Sequence, residues 1–139
     1  MALSIVKEKS LIYCCTCKKA VQARLTGGFE IFPLHEQVSN DPFWVCDSCK
    51  NYVACHHKTP NVTTPIGCIA NKEIRDYRKK IHLILDPLFK KSKRSRKNIY
   101  SFLSKTINYN YHTANIKSIE EAKSVLYLVT HNLDLLKSL

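Results

Sequence analysis

A 139-residue chain with 45% hydrophobic residues and only three glycines has a folding composition, which excludes an intrinsically disordered protein. No apolar run reaches about 18 residues, which excludes a helical membrane span, and Lys7 and Glu8 interrupt any secretory apolar core, so a reducing cytoplasm is expected. Net charge is +11, and residues 70–105 hold twelve Lys or Arg against three Asp or Glu, which favours a polyanionic partner, nucleic acid first.

Residues 11–58 read as short strands and turns. LIYC leads into a first C-x-x-C knuckle at Cys14 and Cys17. AVQARLT and FEIF flank Gly27-Gly28, which predicts a hairpin there, because glycine takes positive φ without steric penalty. FWVC runs into a second knuckle at Cys46 and Cys49, and NYVAC leaves it. Residues 59–68, TPNVTTPIGC, carry two prolines and a glycine and predict a linker loop.

The period then changes. In NKEIRDYRKKIHLILDPLF the apolar residues Ile74, Tyr77, Ile81, Ile84, Leu85 and Leu88 recur at helical spacing, with Pro87 expected to end or kink the helix near Leu85. KKSKRSRK, residues 90–97, has no apolar residue and reads as a basic connector. A second helix follows with Ile99, Phe102, Leu103 and Ile107 on one side, and NYNYHTANIK reads as irregular. Ser118-x-x-Glu121 forms a capping box for a last helix that turns Ala122, Val125, Leu126, Val129, Leu133 and Leu136 inward. The expected fold class is α+β, a zinc-ribbon-like β unit (11–58) followed by three helices (69–139), packed as one domain over residues 1–139.

Seven cysteines, with two pairs at C-x-x-C spacing, read as metal ligands before disulfides in a reducing compartment. Each knuckle aims two sulfurs the same way, and two knuckles make a tetrahedral cage. The expected cofactor is one structural Zn2+ on Cys14, Cys17, Cys46 and Cys49. Cys15 competes with Cys14 but leaves the cramped spacing Cys15-x-Cys17. Cys55 and His56 are alternative ligands, or a core thiol beside a surface histidine, or a Cys–His nucleophilic pair. His57 and Cys68 are assigned no role.

The order C-x-x-C, WVCDSCKNYVACH, PIGCIANKEIRDYRKKIHLILDPLF and IYSFLS resembles the zinc-finger-containing domain family of small bacterial and phage proteins of unknown function. The resemblance covers residues 13–130 or so and departs from the family pattern at Ala54 (glycine there) and Ile66 (leucine there). It maps the family cysteines onto Cys14, Cys17, Cys46 and Cys49, places Cys55 and His56 in the strand that follows, and implies metal binding without a defined activity. It also directs attention to Arg75, Arg78, His82 and Asp86, which fall on one arc of the first long helix beside its apolar stripe. There, Asp86 could orient His82 and the two arginines could grip phosphate. Alternatively, the four form an ion-pair network that docks the helix.

Three functions compete. The first is a nucleic-acid-binding module of little sequence specificity, with Lys90, Lys91, Lys93, Arg94, Arg96 and Lys97 on phosphates and Trp44, Tyr52 and Tyr100 as stacking groups. The second is an adaptor for an acidic protein. The third is a nuclease or other phosphodiester hydrolase with His82 as base and Asp86 behind it. Only 11 acidic residues are present, and none form the carboxylate cluster of a two-metal site.

Overall fold

The computed structural model describes residues 9–56 and 59–139. The N-terminal stretch carrying Lys7 and Glu8, together with His57 and Lys58, lies outside the described residues. The chain divides into two compact units, one through Asn71 and one from Lys72 onward.

The first unit is an antiparallel meander in the order β1-β2-β3-β4, with β1 at Lys9–Cys14, β2 at Lys19–Gly27, β3 at Pro42–Val45 and β4 at Tyr52–Ala54. Registers run from Lys9↔Arg24 to Cys14↔Lys19, from Arg24↔Val45 to Gly27↔Pro42, and from Phe43↔Ala54 to Val45↔Tyr52. In β1 and β2 every second side chain turns inward, which buries Ile12, Cys14, Ala23 and Leu25. These join Trp44, Cys46, Val53, Cys55 and Ile69 in one core cluster. Elsewhere in the unit Phe32, Phe43 and Tyr52 meet edge to face, with centroids 5.3–5.9 Å apart, a favourable arrangement for ring quadrupoles. Tyr52 and Trp44 thus serve packing, and Trp44 is only 3% exposed.

Two expectations for this unit are corrected. The segment after Gly27-Gly28 is not a strand. Gly28–Ile31 forms a short helix, α1, and β2 pairs instead with β3. No glycine among the described residues has positive φ. Gly28 is required for close approach: its N–H donates to the Asp41 carbonyl at 2.9 Å, and a Cβ there would sit 1.8 Å from the Val38 carbonyl oxygen. Gly28→Ala is therefore expected to destabilise the protein by about 1–3 kcal/mol, as overpacking does, read as a lower denaturation midpoint at unchanged slope. The second correction concerns residues 59–68, which pack within the first unit. Trp44 Nε1 donates to the Thr63 carbonyl at 2.7 Å, Ile66 N–H to Ala54 at 2.9 Å, Cys55 bridges Pro65, and Cys68, Ile69 and Ala70 are buried. Satisfied backbone groups and an apolar exit hold the segment down despite its prolines.

The second unit contains α2 (Lys72–Phe89), α3 (Lys93–Ile107), α4 (Ile119–His131) and α5 (Leu133–Lys137). α2 packs on α3 and α4 through Ile74, Ile81, Leu85, Leu88 and Phe89, nearly the predicted stripe. It runs through Pro87 to Phe89, so of the expected end or kink near Leu85 the end does not occur. Pro87 lacks an N–H, but the turn still closes with Lys90 N–H on the Asp86 carbonyl at 3.1 Å. α3 starts inside the expected basic connector, because the Ser92 side chain caps it by accepting from Ser95 N–H, a strong N-terminal stabiliser. Ile99 and Leu103 are its buried residues, as read, together with Ser95. α4 opens on the predicted Ser118 cap, whose Oγ accepts from Glu121 N–H at 3.1 Å, while Glu121 reaches back to Lys117 N–H at 2.8 Å. Asn132 separates α4 from α5, so the predicted last helix is two. Tyr111, 1% exposed, plugs the unit; its hydroxyl pairs with Thr113 Oγ1 at 2.6 Å and its N–H donates to Ser104 Oγ at 2.9 Å. No helix of the described residues is long and apolar enough to cross a membrane.

Candidate metal centre

Because successive strands run antiparallel, the β1–β2 and β3–β4 turns lie at the same end of the meander. Those turns are the two C-x-x-C knuckles. Each closes the same way: Lys18 N–H donates to the Cys14 carbonyl at 2.8 Å, and Lys50 N–H to the Cys46 carbonyl at 2.7 Å. The residue after each second cysteine is left-handed, Lys18 at φ 58° and Lys50 at φ 65°, a conformation unfavourable to a residue with a Cβ. Lys18 is exposed, so Lys18→Gly is expected to stabilise the protein by about 0.5–1 kcal/mol and Lys18→Val to destabilise it by a similar amount. Thermal denaturation of the zinc-loaded forms reads both.

The knuckles bring Cys14, Cys17, Cys46 and Cys49 together, with all four sulfurs within 4.8 Å of one another. Cys14 Sγ lies 3.5 Å from Cys49 Sγ and Cys17 Sγ lies 3.8 Å from Cys46 Sγ. Sulfurs arranged tetrahedrally around Zn2+, each about 2.3 Å from it, stand about 3.8 Å apart, so the spacing fits. The charge environment fits as well. Burial pushes the Cys14 thiol up to about 12, and the neighbouring Cys46 sulfur, with burial behind it, raises Cys17. Burial also opposes ionisation of Cys49, but hydrogen bonds from the backbone and side chain of Asn51 outweigh it and bring that thiol to about 7. Four thiolates held side by side repel one another, and a dication between them removes that cost. Four protein ligands fill a tetrahedral shell, so the zinc is structural and leaves no position for water or substrate.

Sequence reasoning missed the clamp behind the second knuckle. Arg24 in β2 donates through Nε and Nη2 to both Asp47 oxygens at 3.0 and 2.8 Å, and through Nη1 and Nη2 to Glu30 at 3.0 and 2.8 Å. Thr26 Oγ1 donates to Glu30 at 2.5 Å. The Arg24 guanidinium holds the Asp47 carboxyl down at about 2 and also lowers Glu30. Asp47 is the first residue inside the Cys46–Cys49 knuckle, so this fork fixes the knuckle against the sheet. Only the side-chain types were visible in the sequence; pairing residues 24 and 47 requires the β2–β3 register.

The other candidates are placed as follows. Cys55 is fully buried in the core cluster, and burial pushes its thiol up to about 11. His56 is exposed, with its N–H on the Thr64 carbonyl at 2.8 Å. Neither belongs to the four-sulfur group, and among the described residues that group is the one His, Cys, Asp and Glu cluster able to hold a metal. His82 Nδ1 lies 3.2 Å from Asp86 Oδ1 as read, with both side chains about half exposed, at 46% and 53%. Arg78 Nη2 donates to the Ile116 carbonyl at 2.6 Å, and Arg75 is partly buried. Lys90, Lys91, Lys93, Arg94, Arg96 and Lys97 are all exposed.

No curated protein and no solved structure matches the chain. A family model does, over residues 10–131, a span that contains both knuckles and most of both units. The four-sulfur cage at the end of the meander fits a zinc finger, and the chain belongs to the zinc-finger-containing domain family.

Proposed function

We propose that the protein is a nucleic-acid-binding module of little sequence specificity, with its zinc serving structure. The observation that carries this reading is the start of α3. Lys93, Arg94, Arg96 and Lys97 occupy its first turns with no acidic residue among them. That placement is locally unfavourable, since a helix N-terminus already carries about half a positive charge. A polyanion reverses the penalty, because its phosphates meet both the side chains and the helix end. The Arg96 guanidinium lies 5.0 Å from the Phe89 ring centroid and 5.3 Å from that of Tyr100, and those rings stack at 5.1 Å. Tyr100 is partly exposed, so an aromatic group stands beside the cations, as single-strand binding uses. Lys91 donates to the Lys137 carbonyl at the end of α5 and is assigned to holding that terminus. Arg78 is assigned to tying α2 to Ile116.

An adaptor for an acidic protein would use the same charges. The hydrolase reading gains no support from the arrangement of α2, where Arg78 is turned to a main-chain carbonyl and the His82–Asp86 pair stands at the surface.

The test is fluorescence anisotropy of the zinc-loaded protein with labelled single- and double-stranded DNA and RNA of scrambled sequence, over a salt series. Binding that varies little with sequence and falls steeply with salt is expected. No binding at low salt to any of them would turn the reading to an acidic protein partner. Cleavage of the labelled strands that disappears in His82→Ala would make the protein an enzyme.

A further inference from the structure

The metal cage leaves three cysteines over, and two of them face each other. Cys15 Sγ lies 3.6 Å from Cys68 Sγ, and each residue is 5% exposed. Their backbones are held on both sides of this contact: Cys15 N–H donates to the Ile69 carbonyl at 2.8 Å, and Ile69 N–H donates to the Tyr13 carbonyl at 2.9 Å. Cys14 and Ile69 form a parallel bridge, so the two segments run side by side at strand spacing, about 4.8 Å. Cys15 and Cys68 stand diagonally across that bridge, one residue after Cys14 and one before Ile69, so both side chains leave the same face of the pairing. To bond, the sulfurs have to close from 3.6 Å to about 2.05 Å. Cys15 follows a cage ligand directly, yet its sulfur lies outside the four-sulfur group.

We propose that Cys15 and Cys68 are a redox-responsive dithiol, a modification site at which hydrogen peroxide forms a disulfide joining the first zinc knuckle to the segment that ends at Asn71. The first sulfur, as thiolate, attacks a peroxide oxygen. The O–O bond breaks, hydroxide leaves and a sulfenic acid forms. The second thiolate attacks the sulfenic sulfur, the S–S bond forms, the S–O bond breaks and a second hydroxide leaves. The two thiol protons convert the hydroxides to water, so two thiols lose two electrons and one peroxide becomes two waters. Burial limits this chemistry to small oxidants. It also places the second thiol against the sulfenic acid as it forms, so the pair closes before further oxidation. The disulfide adds a covalent tie where two hydrogen bonds already hold, and the cage sulfurs take no part.

The experiment treats the zinc-loaded full chain with one to a few equivalents of hydrogen peroxide, alkylates the remaining thiols, digests, and weighs the peptides while zinc is assayed in parallel. The expected product links the peptides of Cys15 and Cys68, about 2 Da lighter than the two thiols. Zinc should remain at one per chain, and dithiothreitol should restore both thiols. Cys68→Ser and Cys68→Ala, both of which leave the knuckle sequences intact, should abolish the link without zinc loss. Alkylated Cys15 and Cys68 after excess peroxide on the folded protein would overturn the proposal. So would cage cysteines oxidised, with zinc released, before any link between residues 15 and 68.

Discussion

Cys46→Ser is expected to purify with almost no zinc and without the cooperative unfolding transition of the β unit. A four-cysteine site contributes about 10–16 kcal/mol of apparent binding free energy to a small unit, whereas a whole domain is stable by only about 5–15 kcal/mol. The metal term is therefore as large as the net stability of the fold it supports. Chelator added to the native protein should act in the same direction, with loss of the protected amides of β1–β4 in hydrogen exchange. Cys55→Ser is the control. Cys55 is as buried as Cys14, both 0% exposed, but its sulfur stands outside the cage. Placing a hydroxyl there should cost about 1–3 kcal/mol while zinc stays at one per chain. Equal zinc loss in both variants would show that core packing, and not ligation, retains the metal.

Lys93→Ala, Arg94→Ala and Lys97→Ala combined should weaken nucleic-acid binding by about 10–100-fold near physiological salt. On the proposed reading each lost phosphate contact removes about 0.9 from the slope of log affinity against log salt, so the triple variant should be shallower by about 2.7. Melting temperature should hold or rise slightly, because three charges leave the positive end of α3 and none of the three side chains is buried. Arg96 is spared because it covers Phe89 and Tyr100. Unchanged affinity and slope in the triple variant would remove these residues from the interface.

The metal centre was legible because its determinants are local. A C-x-x-C turn fixes its own geometry, and both knuckles close on a residue that follows the second cysteine. The helical stripe of α2 was legible for the same reason, since five buried side chains follow one period. What failed depended on contacts distant in sequence. Gly27-Gly28 carries the composition of a turn, but the constraint on Gly28 comes from the Val38 carbonyl, ten residues away. Residues 59–68 look like a linker by composition and are held by main-chain bonds to β4 and by Trp44. The basic run at 90–97 is the exception: its signals are local, since Lys and Arg are good helix formers and Ser92 caps the helix through the N–H three residues on, but its charge gives it the look of a connector. The Arg24 fork to Asp47 and Glu30 needed the sheet register before it could be seen.

The claim most open to direct measurement is the zinc shell itself. X-ray absorption at the zinc edge of the purified native protein, with elemental analysis of the same sample, reads both stoichiometry and ligand type. One zinc per chain with four sulfur neighbours at about 2.3 Å is the predicted result. A shell containing a nitrogen neighbour at about 2.0–2.1 Å would mean that a histidine replaces one of Cys14, Cys17, Cys46 and Cys49, and would contradict the closed four-cysteine site.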